Sequence, residues 1–304
     1  MGEFYREYSE YLASRFEGKV QKLTVDAGFT CPNRDGSKSV GGCIYCNNRA
    51  FSPAVAPAPV DVRAQLEAGK VFFARKYPTM RYLAYFQAYT STYGRTPEEL
   101  LALYEEAASV SDIVGIVIGT RPDCVSPALV SLLADLNRRR IPVTVEFGVE
   151  TSHDSTLSAI NRCHSWADTV SAVNQVAEAD IDIGVHLIMG LPGETTDDML
   201  LTVRRVCNLP VSTIKFHQLQ VVRGTLLARK LEESPDSVDI TLFSLDDYIA
   251  LCSRIIDIVP DHIAIERFTA SAPADLLIAP RWGIKNFEFV EKLKKFKRNR
   301  TSVC

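Results

Sequence analysis

The chain has 304 residues, of which 46% are hydrophobic and 23% charged, with a formal net charge of −3 and a pI near 6.0. That length and composition can bury the core of one large α/β domain or two smaller ones, and they exclude a disordered chain and a surface coated in basic charge, though not a local basic patch. Apolar runs such as Ile113 to Gly119 fall far short of the roughly 20 residues a membrane span requires, the first 30 residues are too charged for a signal peptide, and neither lipidation pattern fits, so the expectation is a cytoplasmic protein with no membrane association.

A charged, aromatic segment over residues 1–22 precedes the first strand pattern, Leu23 to Gly28. The loop that follows holds Cys31, Cys43 and Cys46, with eleven residues between the first two, two between the last two, and no fourth cysteine nearby. Eight cysteines in a chain of this kind point to metal or redox use rather than a disulfide scaffold. A structural zinc or an electron-carrying cluster takes four protein ligands, whereas three cysteines leave one iron of a cubane open for a bound molecule. Spacing alone also admits a zinc site completed by a remote Cys, His or Asp. Cys124, Cys163, Cys207, Cys252 and Cys304 form no second CxxC and read as small buried hydrophobes or inert thiols.

Beyond the loop, helical patterns at 61–76, 97–108, 127–139, 166–178 and 197–207 alternate with strands Tyr82 to Gln87, Ile113 to Gly119, Val143 to Val149, Ile183 to Met189 and Ser212 to Leu219. Thr96-Pro97-Glu98-Glu99 and Ser126-Pro127 read as N-caps followed by proline at the first helical position. Six βα units are too few for a closed eight-fold barrel and enough for an open one, so the expected fold is α/β, a partial (βα)6 TIM-type barrel over 23–230 with a C-terminal strand and helix extension over 231–304. In the extension, 232–244 read as a loop, 245–258 as a helix and Ile263 to Arg267 as a strand. The final helix carries Lys292, Lys294, Lys295, Lys297, Arg298 and Arg300, either a solvated face or a contact for RNA or phosphate. In barrels of this type chemistry gathers at the carboxyl ends of the strands.

The motifs at those ends are Cys31-Pro-Asn-Arg-Asp-Gly with Gly-Gly-Cys43-Ile-Tyr-Cys46, Tyr85-Phe-Gln-Ala-Tyr-Thr-Ser-Thr-Tyr93, Gly119-Thr-Arg-Pro-Asp-Cys124, Val145-Glu-Phe-Gly-Val-Glu-Thr151, His186-Leu-Ile-Met-Gly-Leu-Pro-Gly-Glu-Thr195 and Lys215-Phe-His-Gln-Leu-Gln220. Together they resemble the radical S-adenosylmethionine (SAM) enzymes, in the branch related to the catalytic subunit of Elongator, over nearly the whole chain. The resemblance implies a [4Fe-4S] cluster on Cys31, Cys43 and Cys46, and SAM held by its amino and carboxylate groups at the open iron and split by one electron into a 5′-deoxyadenosyl radical. It also implies a contact to the SAM amino group from the end of the second strand, where Gln87 and Thr90 stand in place of the family's Gly-Gly-Glu. By the same likeness Glu150 is a candidate for the ribose hydroxyls, and the turn Gly190-Leu-Pro-Gly193-Glu194 for the adenine. Read from the residues alone, Glu150 is equally a helix cap or ion-pair partner, that turn a plain strand-to-helix connection, and Arg121 with Asp123 either a structural pair or a contact to SAM or substrate. His186 and His217 are each either core histidines or substrate contacts.

The implied substrate is tRNA, at the wobble-uridine side chain, with a flavodoxin- or ferredoxin-type electron donor. The acetyltransferase extension of the Elongator-type proteins is missing, so no coenzyme A activity is carried across. Neither GxxxxGK[ST] nor GxGxxG is present. The rival expectations are a radical SAM enzyme acting on a small metabolite or protein, and a non-catalytic, zinc-stabilised RNA-binding module.

Overall fold

The computed structural model describes residues 2–51, 61–75, 79–139, 141–270 and 272–301. Helix α1 (Tyr8–Arg15) leads into β1 (Val20–Val25), and α2 (Asn48–Phe51) and α3 (Val62–Ala74) follow the cysteine loop. The chain then alternates through β2 (Arg81–Phe86), α4 (Pro97–Ala108), β3 (Ile113–Thr120), α5 (Pro127–Arg138), β4 (Val143–Glu150), α6 (Asp154–Ala159), α7 (Trp166–Glu178), β5 (Asp182–Met189), α8 (Thr196–Cys207) and β6 (Thr213–Gln218). The remainder comprises β7 (Val221–Val222), α9 (Leu226–Glu233), α10 (Leu245–Ile256), β8 (Ala264–Arg267), β9 (Leu277–Ala279) and α11 (Asn286–Thr301). One parallel sheet runs in the order β1-β2-β3-β4-β5-β6-β8, a partial barrel in which the backbones of β1 and β8 do not pair, and β7 pairs with β9 as an antiparallel ribbon.

The strand residues alternate between two very different environments. Val145, Phe147 and Val149 of β4, Ile183, Val185 and Leu187 of β5, and Ile214 and Phe216 of β6 point outward into the main core, where the helices cover them. The intervening residues, among them Glu146, His186, Lys215 and His217, face the barrel interior and line its cavity or pair across it. The helices start where their caps dictate: Thr96 and Glu99 form a reciprocal capping box ahead of α4, Ser126 accepts from the Leu129 amide ahead of α5, and Ser165 and Thr195 do the same for α7 and α8.

Some boundaries differ from the expectation. β1 begins at Val20 and ends at Val25, because Asp26 turns the chain by accepting from the Gly28 amide at 2.9 Å. The helix expected over 61–76 occupies Val62–Ala74, and residue 76 lies outside the described residues. The loop expected over 232–244 begins inside α9. The strand expected at Ile263 to Arg267 is β8, and it joins the barrel itself, parallel to β6 with Thr213 opposite Ala264. The chain just before α1 lies along the free edge of β8, where Glu7 bridges Ile265 and the Ile265 amide donates to the Arg6 carbonyl at 2.9 Å.

The basic face of α11 is partly neutralised within the molecule. Lys294 pairs with Glu7 at 2.8 Å, Lys297 with Asp257 at 2.5 Å and Arg298 with Glu3 at 2.5 Å, so this helix clasps the N-terminal segment and α10. Its Phe289 and Leu293 are fully buried beneath.

Candidate active site

A cavity of about 190 Å³ opens at the carboxyl ends of the strands, and Cys31, Cys43 and Cys46 form one of its walls. The cysteine loop is held from beneath by Asn33, which is fully buried. Its side-chain amide donates to the carbonyls of Asn161 (2.5 Å) and Arg162 (3.1 Å) and reaches the Cys43 sulfur at 3.7 Å. Arg162 Nη1 also lies 3.7 Å from that sulfur, and Arg34 donates to the Cys46 carbonyl at 3.0 Å. Burial, reinforced by Cys43, pushes the Cys46 thiol up to about 11, with Arg34 opposing. Two donors near one thiol sulfur are an arrangement that would tune the potential of a cluster bound through it.

Three thiols on one wall, cationic neighbours and no nearby fourth ligand fit a [4Fe-4S] cubane. Among the described residues no three His, Cys, Asp or Glu side chains converge as a single metal ion demands. Burial also pushes up the thiols of Cys124 (about 12), Cys207 (about 11) and Cys252, which keeps them inert. Cys163 is exposed, and Cys304 lies outside the described residues.

Of the other site candidates, Gln87, Thr90, Arg121 and Glu150 line this same cavity. Arg121 is 2% exposed and grips Asp123 with two bonds of 2.9 Å, while Lys38 reaches the same carboxylate from outside. Burial opposes ionisation of Asp123, yet Arg121 and Lys38 hold its carboxyl down to about 2. Arg121 Nη2 donates to the Arg162 carbonyl at 2.6 Å, and its Nη1 is buried without a partner among the described residues. Glu150 closes β4 in a left-handed conformation (φ 67°) next to a register shift and pairs with Arg162 at 3.3 Å. A Cβ at Gly148 would lie 2.6 Å from the Arg162 guanidinium and 2.8 Å from Glu150 Oε1, so a side chain there would displace the ends of that pair.

Gly190, Gly193 and Glu194 do not line the cavity. A Cβ on Gly190 would meet the Thr241 carbonyl at 2.3 Å, the Gly193 amide donates to the Asp239 carbonyl at 2.8 Å, and Glu194 accepts from Thr151 at 2.5 Å. Burial raises the Glu194 carboxyl, with Thr151 opposing. The turn is thus packed against the segment after α9, behind Ile188, which does reach the cavity.

Deeper in the barrel lies a buried charge network to which, of the residues singled out in the sequence, His186 belongs. Lys215 pairs with Glu146 at 3.2 Å and Glu266 at 2.9 Å; Lys22 pairs with Glu266 at 2.6 Å and also with Glu146. His186 Nε2 meets Glu146 at 2.9 Å, and Lys215 donates to the Tyr85 hydroxyl at 3.3 Å. Burial disfavours the Glu146 carboxylate, yet Lys215, Lys22 and His186 together hold its pKa well below the ordinary value. Burial and Lys215 lower His186, and burial and Arg267 lower His217 much further, so both rings are neutral near pH 7.

The radical SAM superfamily model matches residues 31–206, and the radical SAM C-terminal domain model matches 211–298. The chain belongs to the radical SAM superfamily. Its cofactors are therefore a [4Fe-4S] cluster and SAM, and the zinc-stabilised, non-catalytic module that the spacing left open is set aside. This radical SAM chain is 38% identical over 273 residues to protein YhcC of Escherichia coli (strain K12), covering 89% of this chain and 85% of that protein. It is 27% identical over 183 residues to a tRNA uridine(34) acetyltransferase of Dehalococcoides mccartyi (strain CBDB1), covering 58% of this chain and 38% of that protein. In fold it resembles the archaeal Methanocaldococcus infernus Elp3, with a TM-score of 0.68, 18% identity, and coverage of 93% of this chain and 64% of that one.

Sequence reasoning assigns no role in this radical SAM site to Asn33, Glu146, Arg162, Lys215, Glu266 or Arg267. Lys215 and Glu146 sit inside strand-end motifs, and a charged residue between apolar strand neighbours is the available signal. Among the described residues no helix is long and apolar enough to cross a membrane.

Proposed function

We propose that this radical SAM enzyme modifies the wobble-uridine side chain of tRNA. The observation that carries this reading is a lateral recess of about 940 Å³ between the edges β1 and β8, which shares Tyr85, Gln87 and Arg267 with the inner cavity. A base swung out of a polynucleotide can enter by that route while the bulk of the nucleic acid stays outside. The relative named a tRNA uridine(34) acetyltransferase supports the same substrate class.

In this reading Cys31, Cys43 and Cys46 hold the cluster, and Asn33 and Arg162 tune it through Cys43. Gln87 and Thr90 offer neutral hydrogen bonds to the amino end of SAM, and Arg121 presents its free Nη1 to the same region. Glu150, oriented by Arg162, serves the ribose, and the turn from Gly190 to Glu194 sets the position of Ile188 against the adenine. With a [4Fe-4S] cluster and SAM bound there, and an electron from a flavodoxin- or ferredoxin-type donor, the site would supply radical chemistry for hydrogen abstraction from the substrate. The protein's own contribution is to orient the C–H bond and exclude water and stray hydrogen donors.

The test has two stages. Anaerobically reconstituted protein, reduced with dithionite in the presence of SAM, is expected to yield 5′-deoxyadenosine, and alanine at Cys31, Cys43 or Cys46 to abolish both the product and the brown colour. Mass spectrometry of tRNA nucleosides from a strain lacking the protein, before and after incubation with it, is then expected to show a change at position 34. Abundant 5′-deoxyadenosine with unchanged tRNA nucleosides would transfer the substrate to the small-metabolite or protein class.

A further inference from the structure

The interior charges do not balance. Lys22 and Lys215 are each shared between Glu146 and Glu266, and those two cations and two anions satisfy one another. Arg267, the next residue of β8, stands outside that square and forms no ion pair with any described residue. Its one polar contact among them is Nη2 to His217 Nδ1 at 3.4 Å, and its Nε is buried without a partner. His217 brings no negative charge, because it is neutral. In the same wall, Gln220 is 5% exposed and its Oε1 has no donor among the described residues. Arg267 is half-buried with its Nε sealed from solvent, and a guanidinium cannot shed its proton to relieve that partial desolvation, so an oxyanion arriving from the cavity would find a cation with no competing partner among the described residues. Arg267 lines both the inner cavity and the lateral recess, on the β6–β8 side, whereas the cysteine loop follows β1.

We propose that Arg267 is an oxyanion-binding residue for the substrate: a carboxylate or phosphate carried by the substrate pairs with its guanidinium at the junction of recess and cavity. This rests on the substrate entering by the recess, as proposed above, and not on its being tRNA. An Arg fork binds either planar carboxylate or phosphate oxygens, so the two sources share one chemistry.

The test uses the full-length, cluster-loaded protein under anaerobic conditions, with acetate and inorganic phosphate as probes, each titrated against sodium chloride at matched ionic strength. The readout is the melting temperature of the wild type, Arg267→Lys and Arg267→Gln. For the wild type, one of the two oxyanions is expected to raise the melting temperature by on the order of 2–4 °C beyond chloride as the site fills. Arg267→Lys is expected to keep part of that rise, and Arg267→Gln to show none. In chloride alone Arg267→Gln is expected to melt no lower than the wild type, because it removes a half-buried charge that forms no ion pair with any described residue. A response to acetate identifies a carboxylate on the substrate, and a response to phosphate identifies a nucleotide or backbone phosphate. Equal responses in wild type and Arg267→Gln, no response in the wild type, or an Arg267→Gln protein that melts lower in every buffer would each overturn the proposal. Equilibrium dialysis with SAM supplies the remaining control: an affinity that disappears in Arg267→Gln assigns the guanidinium to the cofactor's own carboxylate and overturns it too. None of these readouts depends on radical turnover, so a failure of the tRNA reading remains distinguishable.

Discussion

Glu146 sits where three cations or potential cations meet, Lys22, Lys215 and His186, and it is 2% exposed. Replacing it with glutamine leaves two lysines to share Glu266 in a buried setting. Breaking such a pair typically costs about 3–5 kcal/mol, because a charge is left uncompensated. Chemical denaturation of Glu146→Gln at pH 7 is expected to show a loss in that range. The pH dependence follows from the direction of the shift: the folded-state pKa of Glu146 lies below the unfolded one. Its stabilisation is complete above the unfolded carboxylate range and declines as pH falls through about 4.5 and below. The stability gap between wild type and variant should therefore be full at pH 7 and narrow in acid. A gap independent of pH would mean that the side chain acts by packing alone. At this scale the cysteine triad was legible because few chemistries require that residue type at that spacing. Asn33 and Arg162 were not, since their hydrogen bonds to and from the loop join positions 119 to 129 residues apart.

At the scale of elements, the turn after β5 separates two costs that sequence alone cannot distinguish. Gly190 has φ 96° and its absent Cβ would lie 2.3 Å from the Thr241 carbonyl, whereas Gly193 has φ 73° with open space around it. Alanine at Gly193 meets only the left-handed backbone penalty, about 1–2 kcal/mol. Alanine at Gly190 meets that penalty and a clash with backbone that cannot rotate away, and should cost clearly more. Denaturant midpoints of the two variants test the ordering, and equal losses would show that the segment after α9 yields freely. The order and kind of the elements from β1 to β6 were readable because apolar strands alternate with capped helices. Which way the polar strand residues point was not. A strict apolar and polar alternation ordinarily reads as a sheet with one wet face. Here Glu146, His186, Lys215 and His217 turn that polar face into the barrel, where it becomes the floor of the cavity.

For the whole molecule, the open seam between β1 and β8 is held by charge rather than by backbone pairing. Lys22 of β1 reaches Glu266 of β8 across it, and α11 clasps the N-terminal segment from outside through Lys294 and Arg298. The six basic residues of α11 therefore divide by task. Lys294, Lys297 and Arg298 are paired within the chain, while Lys292, Lys295 and Arg300 are exposed and form no ion pair among the described residues. α11 borders the lateral recess, where Phe287, Val290, Glu291 and Lys294 contribute to its rim. If tRNA reaches the recess over this face, reversing Lys292, Lys295 and Arg300 to glutamate leaves phosphates unneutralised and the fold intact. For each such phosphate the slope of log K against log salt is expected to fall by about 0.7–0.9, with weaker binding at every salt concentration. Replacing Lys294 and Lys297 with glutamine is expected to do the reverse, lowering the melting temperature with little change in slope. Fluorescence anisotropy of labelled tRNA over a salt series, beside thermal melts of both variants, separates the two groups. An unchanged slope in the charge-reversal variant would move the docking face away from α11 and leave this helix as a clasp only.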